Sequence, residues 1–213
     1  MATLIGESPL SIREFMAREP LPLAAIHDAL LRFLCHRDDV VICGAQAVNA
    51  YVDVPRLTQD VDIASSRAAE LAEEIRGYLR EQLQIAVRVR VVAGGFRVYQ
   101  VRREGSRHLV DIRAVHELPP ARSLEGFRIL APEDLIVAKL FAAAARTGRE
   151  KGYTDLRDLA ALLRTFPELK TREGPIGDRL AGAGAGDRVI QLWEEWVARE
   201  VGTGPEDEDE FTG

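Results

Sequence analysis

Apolar positions change their spacing along this chain, and the changes mark out its elements. Behind Pro22, which a first helical turn tolerates, Leu23, Ile26, Leu30, Leu31 and Leu34 recur at helical spacing. Upstream, Ser11 with Glu14 three residues later reads as a capping box opening a short helix. Asp38-Asp39 breaks the 23–34 helix, and Val40-Val41-Ile42-Cys43 reads as a strand. Gly44-Ala45 makes a turn, 46–51 a short helix, and Pro55 closes it before a second strand over 60–63. Residues 68–83 are amphipathic at the helical period.

Strand signals follow over 86–92, 96–102 and 108–113, with Gly94-Gly95 marking a hairpin between the first two. From Pro132 the period turns helical, and Pro132-Glu133-Asp134 places a proline and two acids in a first turn. That helix runs to about Thr147, and two more are predicted over 153–165 and 189–201. Trp193 and Trp196 serve as packing anchors on the last one, and the Gly/Ala stretch 181–186 is a flexible joint. The predicted fold is α/β (α+β), a small mixed sheet flanked by helices and followed by a helical half. Its boundary falls within 117–130, giving 1–120 as the α/β half with N-terminal helices, 121–201 as the helical half and 202–213 as a disordered acidic tail.

Charge is unevenly spread. The net charge of −6 comes mostly from Glu206-Asp207-Glu208-Asp209-Glu210, and without those five the body carries 28 basic against 29 acidic residues. Nine arginines (76, 80, 88, 90, 97, 102, 103, 107 and 113) lie between 76 and 113, against Glu81, Glu104 and Asp111. Some are ordinary outward strand positions, because Val87-Arg88-Val89-Arg90-Val91 alternates; the rest leave open a surface for triphosphate, RNA or an acidic partner. No apolar run approaches the roughly 18 residues of a membrane span, and residues 1–20 lack the basic-then-apolar pattern of a secretory signal. Cys35 and Cys43 make neither a disulfide framework nor a zinc site, and Cys43 reads as a buried small hydrophobe. A reduced, cytoplasmic setting is expected.

The chemistry centres on Arg56-Leu57-Thr58-Gln59-Asp60-Val61-Asp62-Ile63. A strand has a side-chain period of two, so Asp60 and Asp62 share a face, roughly 7 Å apart along the backbone. That spacing lets both reach a pair of cations about 3.5–4 Å apart, an arrangement used for in-line phosphoryl or nucleotidyl transfer. Magnesium (or manganese) suits it, being a hard cation satisfied by one or two carboxylates plus substrate phosphates. Asp111 is the third acid, closing the apolar strand Leu109-Val110-Asp111-Ile112, which is able to lie beside 60–63 in the sheet. His108 and His116 lack ligand spacing and read as ordinary polar positions.

Gly44-Ala45-Gln46-Ala47-Val48, continued through Arg56-x-Thr58-x-Asp60-x-Asp62, resembles the signature of the DNA polymerase beta-like nucleotidyltransferase superfamily, nearest its AbiEii-type abortive-infection toxin branch. Ala131-Pro132-Glu133-Asp134-Leu135-Ile136-x-x-Lys139-Leu140 and Arg146…Lys151…Asp155-x-x-Asp158 resemble that branch's helical motifs. The resemblance implies that the Gly44-Ala45 turn presents its backbone to a triphosphate, and helix-start amides favour phosphate. It implies metal binding by Asp60 and Asp62, and help from Asp111, also counted as a metal ligand, in activating an acceptor hydroxyl. It gives Lys139 the nucleotide phosphates, with Asp155 completing the nucleotide pocket in a cleft between the halves. Thr58 is grouped with the nucleotide-binding residues, with positioning of the loop as its simpler role. Metal-bound carboxylates stay ionised at neutral pH. One departure stands out: the family turn is usually Gly-Gly or Gly-Ser, and here it is Gly44-Ala45, which removes a hydroxyl and glycine's access to positive φ.

The resemblance implies a metal-dependent enzyme that moves a nucleoside monophosphate from a nucleoside triphosphate to a hydroxyl on a protein or tRNA. A toxin–antitoxin or phage-defence setting with a separate antitoxin partner goes with it, and no membrane. Two alternatives stay open: a nucleotide-binding module of the same fold that is catalytically weak or inactive, and a small-molecule, antibiotic-type nucleotidyltransferase.

Overall fold

The computed structural model describes residues 22–199. The capping box at Ser11 and Glu14 and the acidic tail lie outside the described residues. Contacts divide the chain into a first unit ending at Ala131 and a second beginning at Pro132.

The first unit holds a seven-stranded mixed sheet: β1 (Val40–Cys43), β2 (Val61–Ser65), β3 (Val87–Val92), β4 (Gly95–Val101), β5 (Ser106–Ala114), β6 (Ala121–Leu124) and β7 (Phe127–Leu130). Their order is β3-β4-β5-β2-β1-β7-β6, with β2/β5 and β1/β7 parallel and the remaining neighbours antiparallel. Among the described residues, three helices belong to this unit: α1 (Leu23–Leu34), α2 (Gly44–Asn49) and α3 (Ala68–Leu83). The predicted helix over 46–51 is α2, which already begins at the turn residue Gly44.

One face of the sheet is core. Val89, Val98, Val110, Ile112, Ile63 and Ile42 are linked by cross-strand register and buried. α3 packs against β2, β3, β4 and β5 through the side that carries Leu71, Ile75 and Leu79, all fully buried. α1 then packs on α3 with Ile26, Leu30 and Leu34 buried. Each such side chain is worth about 1.5–3 kcal/mol when removed from water, which holds the sheet flat against its helices. The period of two sends Arg88, Arg90, Arg97, Asp111, Arg113 and Asp62 to the opposite face, so the sheet's polar chemistry is collected on one side.

The segment after residue 120 departs from the helical expectation. Ala121–Leu124 and Phe127–Leu130 form a hairpin, and β7 adds to the sheet beside β1. The two connecting residues, Glu125 (φ 50°) and Gly126 (φ 84°), both have positive φ, as a two-residue hairpin turn requires. A Cβ on Gly126 would meet the His36 ring at 2.6 Å, and its carbonyl accepts from the His36 amide at 2.7 Å. The end of α1 therefore pins the turn, and the division between units falls at Ala131/Pro132 instead of 120/121.

The second unit is helical: α4 (Pro132–Ala145), α5 (Glu150–Thr165), a 3₁₀ turn (Pro167–Leu169), α6 (Pro175–Gly182) and α7 (Asp187–Ala198). α4 is its central helix, packed by α5, α6 and α7. It is accordingly apolar over most of its surface, with Leu135, Ile136, Leu140, Ala143 and Ala144 buried. α6 was not expected. Pro175 sits in its first turn, Ile176 and Leu180 are buried, and it takes up the start of the stretch read as a joint. Trp193 and Trp196 are buried on α7 as anchors. Among the described residues, no helix is long and apolar enough to cross a membrane.

Candidate active site

The site begins where β1 runs into α2. Gly44 has φ 60°, a left-handed conformation that costs a side-chain-bearing residue strain. A Cβ there would also lie 1.9 Å from Asp62 Oδ2 and 2.8 Å from Asp62 Cβ. Glycine is thus needed twice, for its backbone and so that the Asp62 carboxylate can rest against the turn. Ala45 is buried inside α2 without positive φ, so the departure from Gly-Gly or Gly-Ser imposes no backbone strain. Cys43 is the register partner of Asp62. Burial, with the Asp62 charge adding to it, pushes the Cys43 thiol up to about 12 and leaves it unreactive.

The loop leading into β2 is clamped at both ends. The Asn49 side chain donates to the Arg56 carbonyl at 2.8 Å and accepts from the Arg56 amide at 3.0 Å, closing the loop on the end of α2. The Thr58 hydroxyl donates to the Asp60 carbonyl at 3.1 Å. Both groups set the position of Asp60, which lies one residue before β2 and not within the strand predicted over 60–63. Between them, Leu57 is almost fully exposed.

Parallel pairing of β2 with β5 places Asp62 opposite Asp111. Asp111 also faces Arg97 across β4, and Arg97 Nε donates to Asp111 Oδ1 at 2.9 Å. Beyond that point the β4/β5 register slips: Val98 faces Val110, but Tyr99 faces His108, so Leu109 is one residue extra on β5. Such a bulge turns a strand's phase, and bulges are enriched beside active sites. It rotates His108 onto the face of Asp111, which simple alternation denies it.

His108 Nδ1 lies 3.1 Å from Asp60 Oδ2, and Nε2 lies 3.8 Å from Asp111 Oδ2. Burial works to lower the His108 pKa, but the hydrogen bond with Asp60 and the Asp111 charge outweigh it, and the net direction is up. The Tyr99 ring stacks 5.1 Å away, and the Arg90 guanidinium lies over Tyr99 at 4.9 Å. Ligand atoms of Asp60, His108 and Asp111 lie within 4.8 Å of one another. The three side chains are partly exposed, so a hydrated divalent cation fits the donor set: hard carboxylate oxygens plus one imidazole. The structure therefore brings Asp60 and Asp111 together around His108, with Asp62 alongside on the Gly44 turn. His108, read as an ordinary polar residue, belongs to this group, whereas His116 is simply exposed.

Lys139 and Asp155 belong to the second unit. Lys139 Nζ is buried between Asp155 Oδ1 (3.0 Å) and Asp158 Oδ2 (2.6 Å), and Arg146 donates to the other Asp155 oxygen at 2.9 Å. Lys139 thereby ties α4 to α5. Asp155 is buried one turn into α5.

Comparison with known proteins follows the same lines. A search of curated protein sequences finds no significant match. Among solved structures, the Megavirus polyadenylate synthase superposes with a TM-score of 0.59 at 12% identity, covering 73% of this chain. This chain spans only 34% of the viral protein's length, and at that identity the likeness shows the fold. JHP933 from Helicobacter pylori (TM-score 0.45, 16% identity, 89% of each chain) is also similar. So is ANT(2")-Ia, in complex with adenylyl-2"-tobramycin (TM-score 0.47, 16% identity, 83% of this chain and 98% of that one). The family model described as "Nucleotidyl transferase AbiEii toxin, Type IV TA system" matches residues 28–174, which take in the whole sheet, the Asp60–Asp62 segment and the Lys139–Asp155 pair. With more than half its length matched and a nucleotidyltransferase fold, this chain belongs to the AbiEii nucleotidyltransferase toxin family.

Proposed function

We propose that this chain transfers a nucleoside monophosphate from a nucleoside triphosphate to a hydroxyl of a protein or a tRNA. The observation that carries this reading is the β2/β5 register, which sets Asp62 beside Asp111 on the face where Asp60 and the Gly44 turn converge. In the reaction, the acceptor oxygen bonds to the α-phosphorus, the α–β anhydride bond breaks, and pyrophosphate leaves. The acceptor's proton passes to a carboxylate or to water.

Asp60, Asp62 and Asp111 would hold magnesium or manganese, which supplies charge neutralisation for the triphosphate when bound. The Gly44-Ala45 turn would bring backbone amides to the phosphates, and Thr58 would act through the loop it pins to Asp60. Lys139 and Asp155 are assigned to the nucleotide on their motif, with Lys139 held by two carboxylates in its own unit. The reading implies a cytoplasmic toxin, restrained by an antitoxin protein. The alternative of a catalytically silent module gains no support from Ala45, because the left-handed residue of the turn is Gly44.

The test is the Asp60→Asn/Asp62→Asn double variant. It is expected to melt within a few degrees of the wild type and to lose pyrophosphate release by a factor of at least 100. Unchanged release from a folded double variant would overturn the assignment of these carboxylates.

A further inference from the structure

Three acceptors surround the imidazole of His108, the farthest being Asp111 Oδ2 at 3.8 Å from Nε2. On one side, Nε2 lies 3.1 Å from the Val110 carbonyl oxygen. A carbonyl only accepts, so that contact requires a proton on Nε2. On the other side, Nδ1 lies 3.1 Å from Asp60 Oδ2. In a neutral ring with its proton on Nε2, Nδ1 presents a lone pair to an ionised carboxylate. Two electron-rich atoms at that separation repel unless a cation lies between them.

The same arrangement is that of a histidine ready to bind a metal. Metal-ligating histidines characteristically donate their other ring N–H to a backbone carbonyl or a carboxylate, which fixes the tautomer. Adjacent ligands of an octahedral ion with bonds of about 2.1 Å are about 3 Å apart, matching the Nδ1–Asp60 separation. The ring is also held in place, by its stack on Tyr99, its cross-strand partner, and by the Leu109 bulge. An unbulged β5 would carry His108 on the core face, so the extra residue is what delivers a nitrogen to the acids.

We infer that His108 is a direct ligand of the divalent cation held by Asp60 and Asp111, making this a mixed nitrogen–oxygen site that prefers manganese to magnesium. This inference rests on the metal assignment of the proposed function. Imidazole suits the transition ions, whereas magnesium favours an all-oxygen shell and retains its water. The preference is therefore a property of this chain's His108, not of the acidic motif.

The test is Mn²⁺ binding to the full chain, followed by calorimetry and by pulsed electron paramagnetic resonance for the modulation of a directly bound ¹⁴N. Wild type is expected to bind Mn²⁺ at least about tenfold more tightly than Mg²⁺ and to show imidazole nitrogen coupling. His108→Ala and His108→Gln are expected to lose that coupling and to weaken Mn²⁺ by about tenfold or more, with Mg²⁺ changed by less than about threefold. Mn²⁺ bound by the wild type without nitrogen coupling, while Asp60→Asn/Asp62→Asn abolishes binding, would overturn the role of His108 and leave the acid site standing. Equal loss of both ions in the His108 variants would make the ring a mere prop for Asp60, which also overturns it. Mn²⁺ binding unaffected in the acid double variant would instead bring down the metal assignment on which the inference rests.

Discussion

Gly44 and Ala45 are neighbours in one turn, yet they carry opposite demands. Gly44 takes positive φ and leaves room for the Asp62 carboxylate, whereas Ala45 is an ordinary buried helical residue. Gly44→Ala is expected to cost about 1–2 kcal/mol in urea denaturation, from the left-handed backbone. It should also displace Asp62 and depress nucleotidyl transfer far more than that loss of stability alone would. Ala45→Gly should cost about 0.5–1 kcal/mol and spare transfer. Equal effects of the two on transfer would contradict this division. The pairing of Asp62 with Asp111 was legible in the sequence because both sit in apolar runs able to lie side by side, although Asp60 precedes β2 instead of sharing its alternation and Asp111 lies inside β5 instead of ending it. His108 was not, because its facing depends on a register slip at Leu109. A bulge leaves no mark in an apolar pattern when both residues after the histidine, Leu109 and Val110, are hydrophobic. Nor is Asn49 legible there, since its role as the clamp on Arg56 exists only once the loop has closed.

At the scale of elements, long amphipathic segments were readable and short ones were not. α3 was predicted at its observed ends, because sixteen residues with a regular apolar stripe specify one helix. β6 has four residues, none of them buried, and its pairing comes from the hairpin turn and from β7 docking on β1. Two charged clusters hold elements together. Beside the sheet, Asp39 at the head of β1 accepts from Arg37 at 2.8 and 2.7 Å and meets Arg67 at 3.2 Å. The Arg37 hydrogen bonds hold the Asp39 pKa below the usual carboxylate range, against the opposing effect of burial. A depressed carboxylate contributes stability that is present above its unfolded pKa of about 4 and lost as pH falls through the folded value. Asp39→Asn should therefore cost about 1 kcal/mol at pH 7, with the gap to wild type closing below pH 4 in urea melts. A gap that widens in acid would contradict this. In the second unit, Lys139 is enclosed by Asp155 and Asp158, so Lys139→Met strands buried carboxylates. It should destabilise the chain by about 3–5 kcal/mol, read by denaturant unfolding, beyond any effect on transfer. A variant as stable as the wild type would show that the pair is not structural.

For the molecule as a whole, sequence and structure agree on the class of fold and on the family. The helical pattern from Pro132 onward marked the second unit, although the sheet extends past the last strand that the pattern showed by the two strands of the β6–β7 hairpin. The arginine-rich segment resolves into separate roles. Arg97 holds Asp111, Arg90 lies over Tyr99, and Arg76 pairs with Glu73. Fold and family leave the acceptor open, because one fold hosts many functions. The most direct measurement is label transfer from each α-labelled nucleoside triphosphate, with magnesium or manganese, to total tRNA or to the proteins of a cell extract. We expect the wild type to label one acceptor class and the Asp60→Asn/Asp62→Asn variant to label none. No transfer from any of the nucleotides, with either metal and either acceptor pool, would contradict a working nucleotidyltransferase.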